Sequence, residues 1–118
     1  DDKRLWSPSA MDAVPAAIDS LAVIAPLVKG KTAVLFDSGV RSGLDILRAL
    51  ALGADFVFLG RAFIYGVAAL GEPGAQHTVD ILLTEMVTEM HQLGIEHLSQ
   101  LEPPDPRHYV AATPFVAT

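Results

Sequence analysis

Two short apolar segments, each followed by a turn that contains glycine and arginine, limit the possible folds most strongly. Residues 32–36 and 55–59 are rich in β-branched and aromatic side chains and are too short to be helices of their own. Apolar residues at successive positions are typical of strands that are buried on both faces of a parallel sheet. Between the two segments, residues 44–52 repeat leucine and isoleucine at helical spacing and end at Gly53. The order of strand, turn, helix, strand and turn predicts a parallel β-α-β structure.

The remaining segments predict three further helices. One covers residues 15–28, and Pro26 is expected to end or kink it. A second covers residues 62–70, and a third covers residues 76–93 and is expected to end at Gly94. A strand, a turn and a helix thus occur twice in succession, which indicates an α/β barrel or a doubly wound sheet.

The last of these helices carries both apolar and charged residues at helical spacing. Its expected buried stripe consists of Val79, Leu82, Leu83, Met86, Val87, Met90 and Leu93. Glu85 and Glu89 are four residues apart on the same helix, a spacing that also occurs in paired-carboxylate sites. The expected interpretation is nevertheless a solvated, charged helix face.

The two turns are predicted to form one anion-binding site. Its candidate residues are Asp37, Ser38, Gly39 and Arg41 after the first strand, and Gly60 and Arg61 after the second. Backbone N–H groups at such turns bind anions, and arginine adds a forked positive charge. We therefore expect these residues to hold the phosphate of a mononucleotide cofactor. Two alternatives stay open: the arginines form surface ion pairs, or Asp37 caps the helix that starts near residue 42.

The composition excludes several other functions. The chain has 118 residues, 51% of them hydrophobic and 19% charged, which allows one domain with a packed core. Its net charge of −6 disfavours nucleic acid and anionic membranes as partners. The absence of cysteine excludes disulfides, thiolate metal sites and a cysteine nucleophile. The four histidines lack the spacing of a helical zinc site, so no metal site is predicted. No apolar run approaches the about 20 residues that span a bilayer.

At several positions the sequence resembles a known family, the FMN-dependent 2-hydroxy-acid dehydrogenases and oxidases. The matching motifs are Asp37–Arg41, Ala49–Ala54, Phe58–Arg61, Gly71–Gly74, Leu82–Gly94, Leu98–Leu101 and, upstream, Met11–Asp19. The family includes glycolate oxidase, L-lactate dehydrogenase and mandelate dehydrogenase. The resemblance covers residues 11–101 and concerns the C-terminal part of these proteins. At Ser38, where many members have glycine, the chain is more similar to the lactate and mandelate dehydrogenases.

The resemblance implies a (β/α)8 barrel with its active site at the carboxyl ends of the strands. Residues 32–36 and 55–59 would be strands seven and eight, so the isolated chain would be an incomplete barrel. The loops after those strands are common phosphate sites in barrels. Within the candidate set, the two glycines would let the backbone approach the FMN phosphate. Both arginines would bind the phosphate, and Asp37 would accept a hydrogen bond from the ribityl chain.

The resemblance also defines what this chain lacks. The family pattern Ser-Asn-His-Gly-Gly-Arg-Gln-Leu-Asp contains the catalytic base and the arginine that binds the substrate carboxylate. Aligning its last residue with Asp12 places Trp6 at the histidine position and Ser9 at the arginine position, and neither can do that chemistry. We therefore predict no catalytic residue in this chain. Residues 1–10 are expected to be irregular or the remnant of an expression tag, and residues 102–118 to form an extended, proline-containing tail.

Three functional hypotheses follow. The first is the FMN phosphate-binding part of an enzyme that oxidises a lactate-like L-2-hydroxy acid to the 2-oxo acid, in the cytoplasm or peripherally at the inner membrane. The second is a catalytically inactive fragment or remnant that acts as a structural or interaction module. The third is another phosphate-binding barrel, of the isoprenoid isomerase or IMP dehydrogenase type. In each case an isolated chain should expose apolar surface and self-associate, or bind the rest of its barrel.

Overall fold

The structure has alternating strands and helices. A computed structural model describes residues 16–103. In chain order the elements are helix α1 (Ala17–Val28), strand β1 (Leu35–Asp37), helix α2 (Gly43–Ala51), strand β2 (Phe56–Phe58), helix α3 (Arg61–Leu70), helix α4 (Gly74–Leu93) and a short 3-10 helix (Leu98–Gln100). The predicted α/β class and the order of elements are confirmed. The predictions for residues 1–10 and for most of the tail lie outside the described residues.

The two strands form a parallel pair, as predicted. Leu35 is opposite Phe56 and Asp37 is opposite Phe58. Strand β1 begins three residues later than the sequence predicts. At its start, the Val34 N–H donates to the Asp55 carboxylate at 2.7 Å, and the Val34 carbonyl accepts the Asp55 N–H at 2.8 Å. A side chain therefore joins the two segments before the regular ladder begins.

One face of the sheet packs into the core. Phe36 is buried there beside Leu21 and Ala25 of helix α1 and Ala49 of helix α2. Val57, the register partner of Phe36, is partly buried against the same cluster. Burying these apolar side chains provides the main favourable contribution to folding in this part of the chain.

The other face of the sheet is open within the described part of the chain. Leu35 is 59% exposed, Phe56 is 65% exposed and Phe58 is 53% exposed. The expectation of a large exposed apolar surface is confirmed. Because strands of parallel sheets are normally covered on both sides, this face requires a partner surface that residues 16–103 do not provide.

Helix α4 supports both of the helices that follow the strands. Helix α2 packs on it near Gly43, where a methyl group would lie 2.6 Å from the Met86 backbone nitrogen. Helix α3 packs on it at Gly66 and Gly74, whose backbones are in direct contact. Glycine is needed at these contacts because the helix backbones approach too closely for a Cβ atom. The two helices are therefore positioned by one common element.

Helix α1 ends at Val28 as predicted, whereas the buried stripe of helix α4 differs from the expectation. Helix α1 continues through Pro26 to Val28, so the proline lies in its last turn and removes one hydrogen bond without ending the helix there. In helix α4, Leu82 is buried, whereas Leu83, Val87 and Leu93 are about half exposed. The predicted stripe was too wide, since helices α2 and α3 cover only one side of it.

Within residues 16–103 no helix combines the length and the apolar character needed to cross a membrane. The same residues contain no group of three or more side chains suited to bind a metal ion.

Candidate functional site

The two turns after the strands meet at one cleft. This cleft has a volume of about 430 Å³. It is lined by Asp37, Ser38, Gly39, Val40, Arg41, Phe58, Gly60 and Arg61. All six candidate residues from the sequence are in this set. The parallel pairing of β1 and β2 explains the convergence, because it directs the carboxyl ends of both strands to the same edge.

The first turn has an unusual backbone. Ser38 has a φ of 96° and Gly39 a φ of 76°, so two successive residues are in the left-handed half of conformational space. Gly39 accepts such a φ readily, but a side chain at φ > 0 is strained. The strand thus turns sharply at Asp37, and the backbone of the turn lines the cleft.

Helix α2 fixes the position of Arg41 through its capping interactions. The Ser42 hydroxyl accepts the Asp45 N–H at 3.2 Å, and the Asp45 carboxylate accepts the Arg41 N–H at 3.1 Å. Ser42, not Asp37, is therefore the N-cap, and the capping alternative for Asp37 is wrong. Asp37 lines the cleft and does not cap the helix.

The second turn is shorter and has an ordinary backbone. Gly60 is the N-cap of helix α3, with φ −118° and ψ −68°, and no side chain caps this helix. The first helical hydrogen bonds run from Phe63 and Ile64 to the Gly60 carbonyl. The N–H groups of Arg61 and Ala62 precede these bonds and are available to an acceptor at the helix N-terminus.

Gly60 has no structural reason to be glycine within the described chain. A Cβ atom built there would have no heavy atom within 4 Å, and its φ suits any residue. The missing side chain therefore leaves open space on the wall of the cleft. A ligand that approaches the backbone closely would use that space.

The charges of the cleft favour an anion. Two arginines and one aspartate are among the residues that line it. The one ion pair found within residues 16–103 joins Arg48 to Asp45 at 3.8 Å. In that part of the chain, Arg41 and Arg61 have no carboxylate partner, so the surface ion-pair alternative finds no support there.

One residue near the site was misinterpreted from the sequence. Glu85 is half buried, and its carboxylate accepts the Gly43 N–H at 2.6 Å, at the first residue of helix α2. The expectation that it belongs to a solvated helix face is wrong. Gly43 follows the N-cap Ser42, so a glycine is not needed there to cap the helix. Glycine at this position is a signal of close helix contact, and it could have indicated the interaction with Glu85.

A comparison with known sequences defines the family. The sequence profile of the FMN-dependent dehydrogenases matches residues 9–108. The chain belongs to the FMN-dependent dehydrogenase family. Among its curated relatives, L-lactate dehydrogenase of Chromohalobacter salexigens is 44% identical over 91 residues, which are 77% of this chain and 23% of that protein. 2-Hydroxyacid oxidase 2 of Mus musculus is 45% identical over 93 residues, which are 79% and 26% of the two chains.

Solved structures of related FMN-dependent dehydrogenases have the same fold in this region. A flavocytochrome b2 variant with bound benzoylformate superposes with a TM-score of 0.69 at 38% identity, over 74% of this chain and 24% of that one. An active mutant of (S)-mandelate dehydrogenase gives a TM-score of 0.65 at 41% identity, over 73% and 24%. The chain thus spans about a quarter of the length of the relatives it matches. It is an α/β unit that corresponds to part of a flavocytochrome b2-type barrel.

The residues of the cleft are chemically suited to the cofactor of this family. The phosphate of FMN is a compact dianion that requires positive charge, N–H donors and close approach of the backbone. The cleft offers two arginines, the free N–H groups at the start of helix α3 and the open wall at Gly60.

Proposed function

We propose that this chain forms the phosphate-binding part of the FMN site of an enzyme that oxidises L-2-hydroxy acids to 2-oxo acids. In this proposal β1 and β2 are strands seven and eight of the barrel, and residues 11–101 are its C-terminal portion. The observation that carries the proposal is the convergence of both arginine-containing turns on one cleft. Relatives named as L-lactate dehydrogenase and 2-hydroxyacid oxidase support the substrate class.

Each of the six candidate residues in the cleft has a defined task in this proposal. Arg41 and Arg61 bind the phosphate from two sides with charge-assisted hydrogen bonds. Gly60 lets the phosphate reach the first N–H groups of helix α3. Asp37, which does not cap helix α2, accepts a hydrogen bond from a hydroxyl of the ribityl chain. Ser38 and Gly39 shape the turn that places these groups.

The chain binds and orients the cofactor but does not carry the proton-transfer chemistry. Bound FMN would accept the two electrons that leave the hydroxy acid. The base that removes the hydroxyl proton and the arginine that holds the substrate carboxylate are contributed by other segments, because Trp6 and Ser9 stand at the matching positions. Both residues lie outside the described residues. The chain alone is therefore expected to bind flavin without oxidising substrate.

Binding of FMN and of riboflavin, which lacks the phosphate, tests the proposal. The protein should bind FMN about a hundredfold more tightly than riboflavin, as expected for a phosphate held by two charged donors. Arg61→Ala should remove most of this difference, and the matched control Arg48→Ala, which changes an arginine outside the cleft, should preserve it. Flavin fluorescence titration measures all six affinities, for three proteins with two flavins each. Equal affinity for the two flavins, or no flavin binding at all, would refute the phosphate-binding role.

A further inference from the structure

We infer that Glu85 is a positioning residue that sets the geometry of the phosphate-binding turn from outside the site, an inference that rests on the proposed function. Glu85 is on helix α4 and is not among the residues that line the cleft. Its carboxylate accepts the Gly43 N–H at 2.6 Å. Gly43 follows Arg41 by two residues and begins helix α2.

Three side-chain contacts hold the segment between Arg41 and the first turn of helix α2. Ser42 and Asp45 provide two of them, and both residues belong to the segment or to the helix itself. These two contacts join the turn at Arg41 to the start of helix α2 as one unit, residues 41–45. Neither contact joins this unit to another element of the fold. The Glu85 contact spans 42 positions along the chain and is the one of these three side-chain contacts that joins the unit to helix α4, on which the Gly43 backbone also packs.

The packing around Gly43 makes this contact specific. A methyl group at Gly43 would lie 2.6 Å from the Glu85 Cβ and 2.8 Å from the Leu82 carbonyl oxygen. The backbone of helix α2 therefore lies directly on helix α4. An N–H group at a helix start has no partner within its own helix, so a half-buried Gly43 N–H needs an acceptor from elsewhere. The Glu85 carboxylate is that acceptor, and its negative charge also suits the helix N-terminus.

The consequence for the site follows from the role of helix α4. The same helix supports helix α3 through the contact between Gly66 and Gly74, and helix α3 begins at Arg61. Helix α4 thus positions the Arg61 turn through the backbone contact of helix α3. It positions the Arg41 turn through the backbone contact at Gly43 and the hydrogen bond to the Glu85 carboxylate. Loss of the carboxylate should let the Arg41 turn move relative to Arg61 while helix α3 stays in place.

Three variants of the full chain distinguish this role from a general effect on stability. Glu85→Ala should weaken FMN binding about tenfold, the change expected when a hydrogen bond to a charged group is lost. Glu85→Gln keeps an acceptor oxygen and should restore most of the affinity. Glu89→Ala, which changes the same residue type one turn further along the helix, should bind FMN as the unsubstituted protein does.

A stability control completes the design. Leu47 on helix α2 is only 2% exposed, so Leu47→Ala leaves a cavity where its side chain packs. This variant should lower the melting temperature more than Glu85→Ala does. Its FMN affinity should nevertheless change less, because the Glu85 contact is intact. Hydrogen exchange without ligand should show faster exchange at residues 41–45 in Glu85→Ala and unchanged exchange in helix α3.

These measurements distinguish a failure of the positioning role of Glu85 from a failure of the proposed function. If the unsubstituted protein binds FMN and Glu85→Ala binds it equally well, the positioning role is wrong and the proposed function stands. The positioning role is also wrong if FMN affinity follows melting temperature across all variants, or if Glu85→Gln is as weak as Glu85→Ala. If the unsubstituted protein binds no FMN, the proposed function fails, and the positioning role fails with it.

Discussion

The two turns that line the cleft reach the same place with different backbones. The turn after β1 needs two residues at positive φ, a serine N-cap and a carboxylate from helix α4. The turn after β2 passes from strand to helix within two residues, with no positive φ and no capping side chain. The first turn is thus held by contacts within the protein, whereas the second has few internal contacts.

The two turns need glycine for different reasons, one in the backbone conformation and the other in the space beside the backbone. Gly39 is explained by its φ of 76°, which a side chain would strain. Gly60 has neither a special φ nor a neighbour that a Cβ would touch. In the proposed function, its glycine is explained by the close approach of the FMN phosphate. The first turn should therefore respond to substitution mainly through stability, and the second mainly through ligand binding.

The largest loss of FMN affinity is expected when both arginines are replaced, because each turn then loses its positively charged side chain. The double variant Arg41→Ala, Arg61→Ala should weaken FMN binding about a hundredfold, from about 1.5 kcal/mol for each charge-assisted pair. The corresponding double lysine variant keeps the charge without the fork and should be intermediate. Equilibrium dialysis measures both affinities. An affinity of the double alanine variant within threefold of the original would show that the arginines do not bind the phosphate.

Gly39→Ala tests the stability of the first turn. The alanine would have to adopt a left-handed backbone, so the free energy of unfolding should fall by about 1–2 kcal/mol. Urea denaturation followed by circular dichroism measures this change. An unchanged midpoint would mean that the turn can relax to a different backbone, and the contrast between the two glycines would then be lost.

Gly60→Ala is the matched variant in the second turn. A methyl group there has space in the protein, so the free energy of unfolding should change by less than about 0.5 kcal/mol. The same methyl group would obstruct the phosphate, so FMN affinity should fall about tenfold, which corresponds to about 1.4 kcal/mol. Equal FMN affinity in this variant, with riboflavin as the control ligand, would contradict the close approach at Gly60.

Ser38→Gly should have the smallest effect, and in the stabilising direction. Glycine relieves the strain at φ 96° but adds freedom to the unfolded chain, so a net gain of about 0.5 kcal/mol is expected. The midpoint of urea denaturation should rise slightly. A fall in the midpoint would indicate that the serine side chain contributes a contact that outweighs the strain.

The sequence predicted most of the fold because its determinants are local. The helical repeat of residues 44–52 and the glycines at positions 53 and 94 lie close to the structure that they specify. The start of β1 was predicted less well, since the Asp55 carboxylate takes the Val34 N–H from 21 positions away. Such a contact depends on the tertiary arrangement and leaves no periodic pattern.

The sequence predicted the six candidate residues of the cleft. It did not predict Glu85, which holds the start of helix α2 next to the cleft. Parallel strands bring their carboxyl ends together, so the two arginine turns could be placed at one edge from the sequence. Glu85 was assigned to a solvated face because its spacing to Glu89 is common on exposed helices. Its actual partner is the Gly43 backbone N–H, and the sequence signal of this contact is the glycine at the start of helix α2, not the spacing of the two glutamates.

The most direct test of the central claim is a crystal structure of the protein with FMN. The account predicts one phosphate between the two turns, with oxygens about 2.8 Å from guanidinium nitrogens of both Arg41 and Arg61. It also predicts the phosphate next to Gly60, over the start of helix α3. A phosphate bound by only one of the arginines, or a flavin bound elsewhere with the cleft empty, would contradict the account.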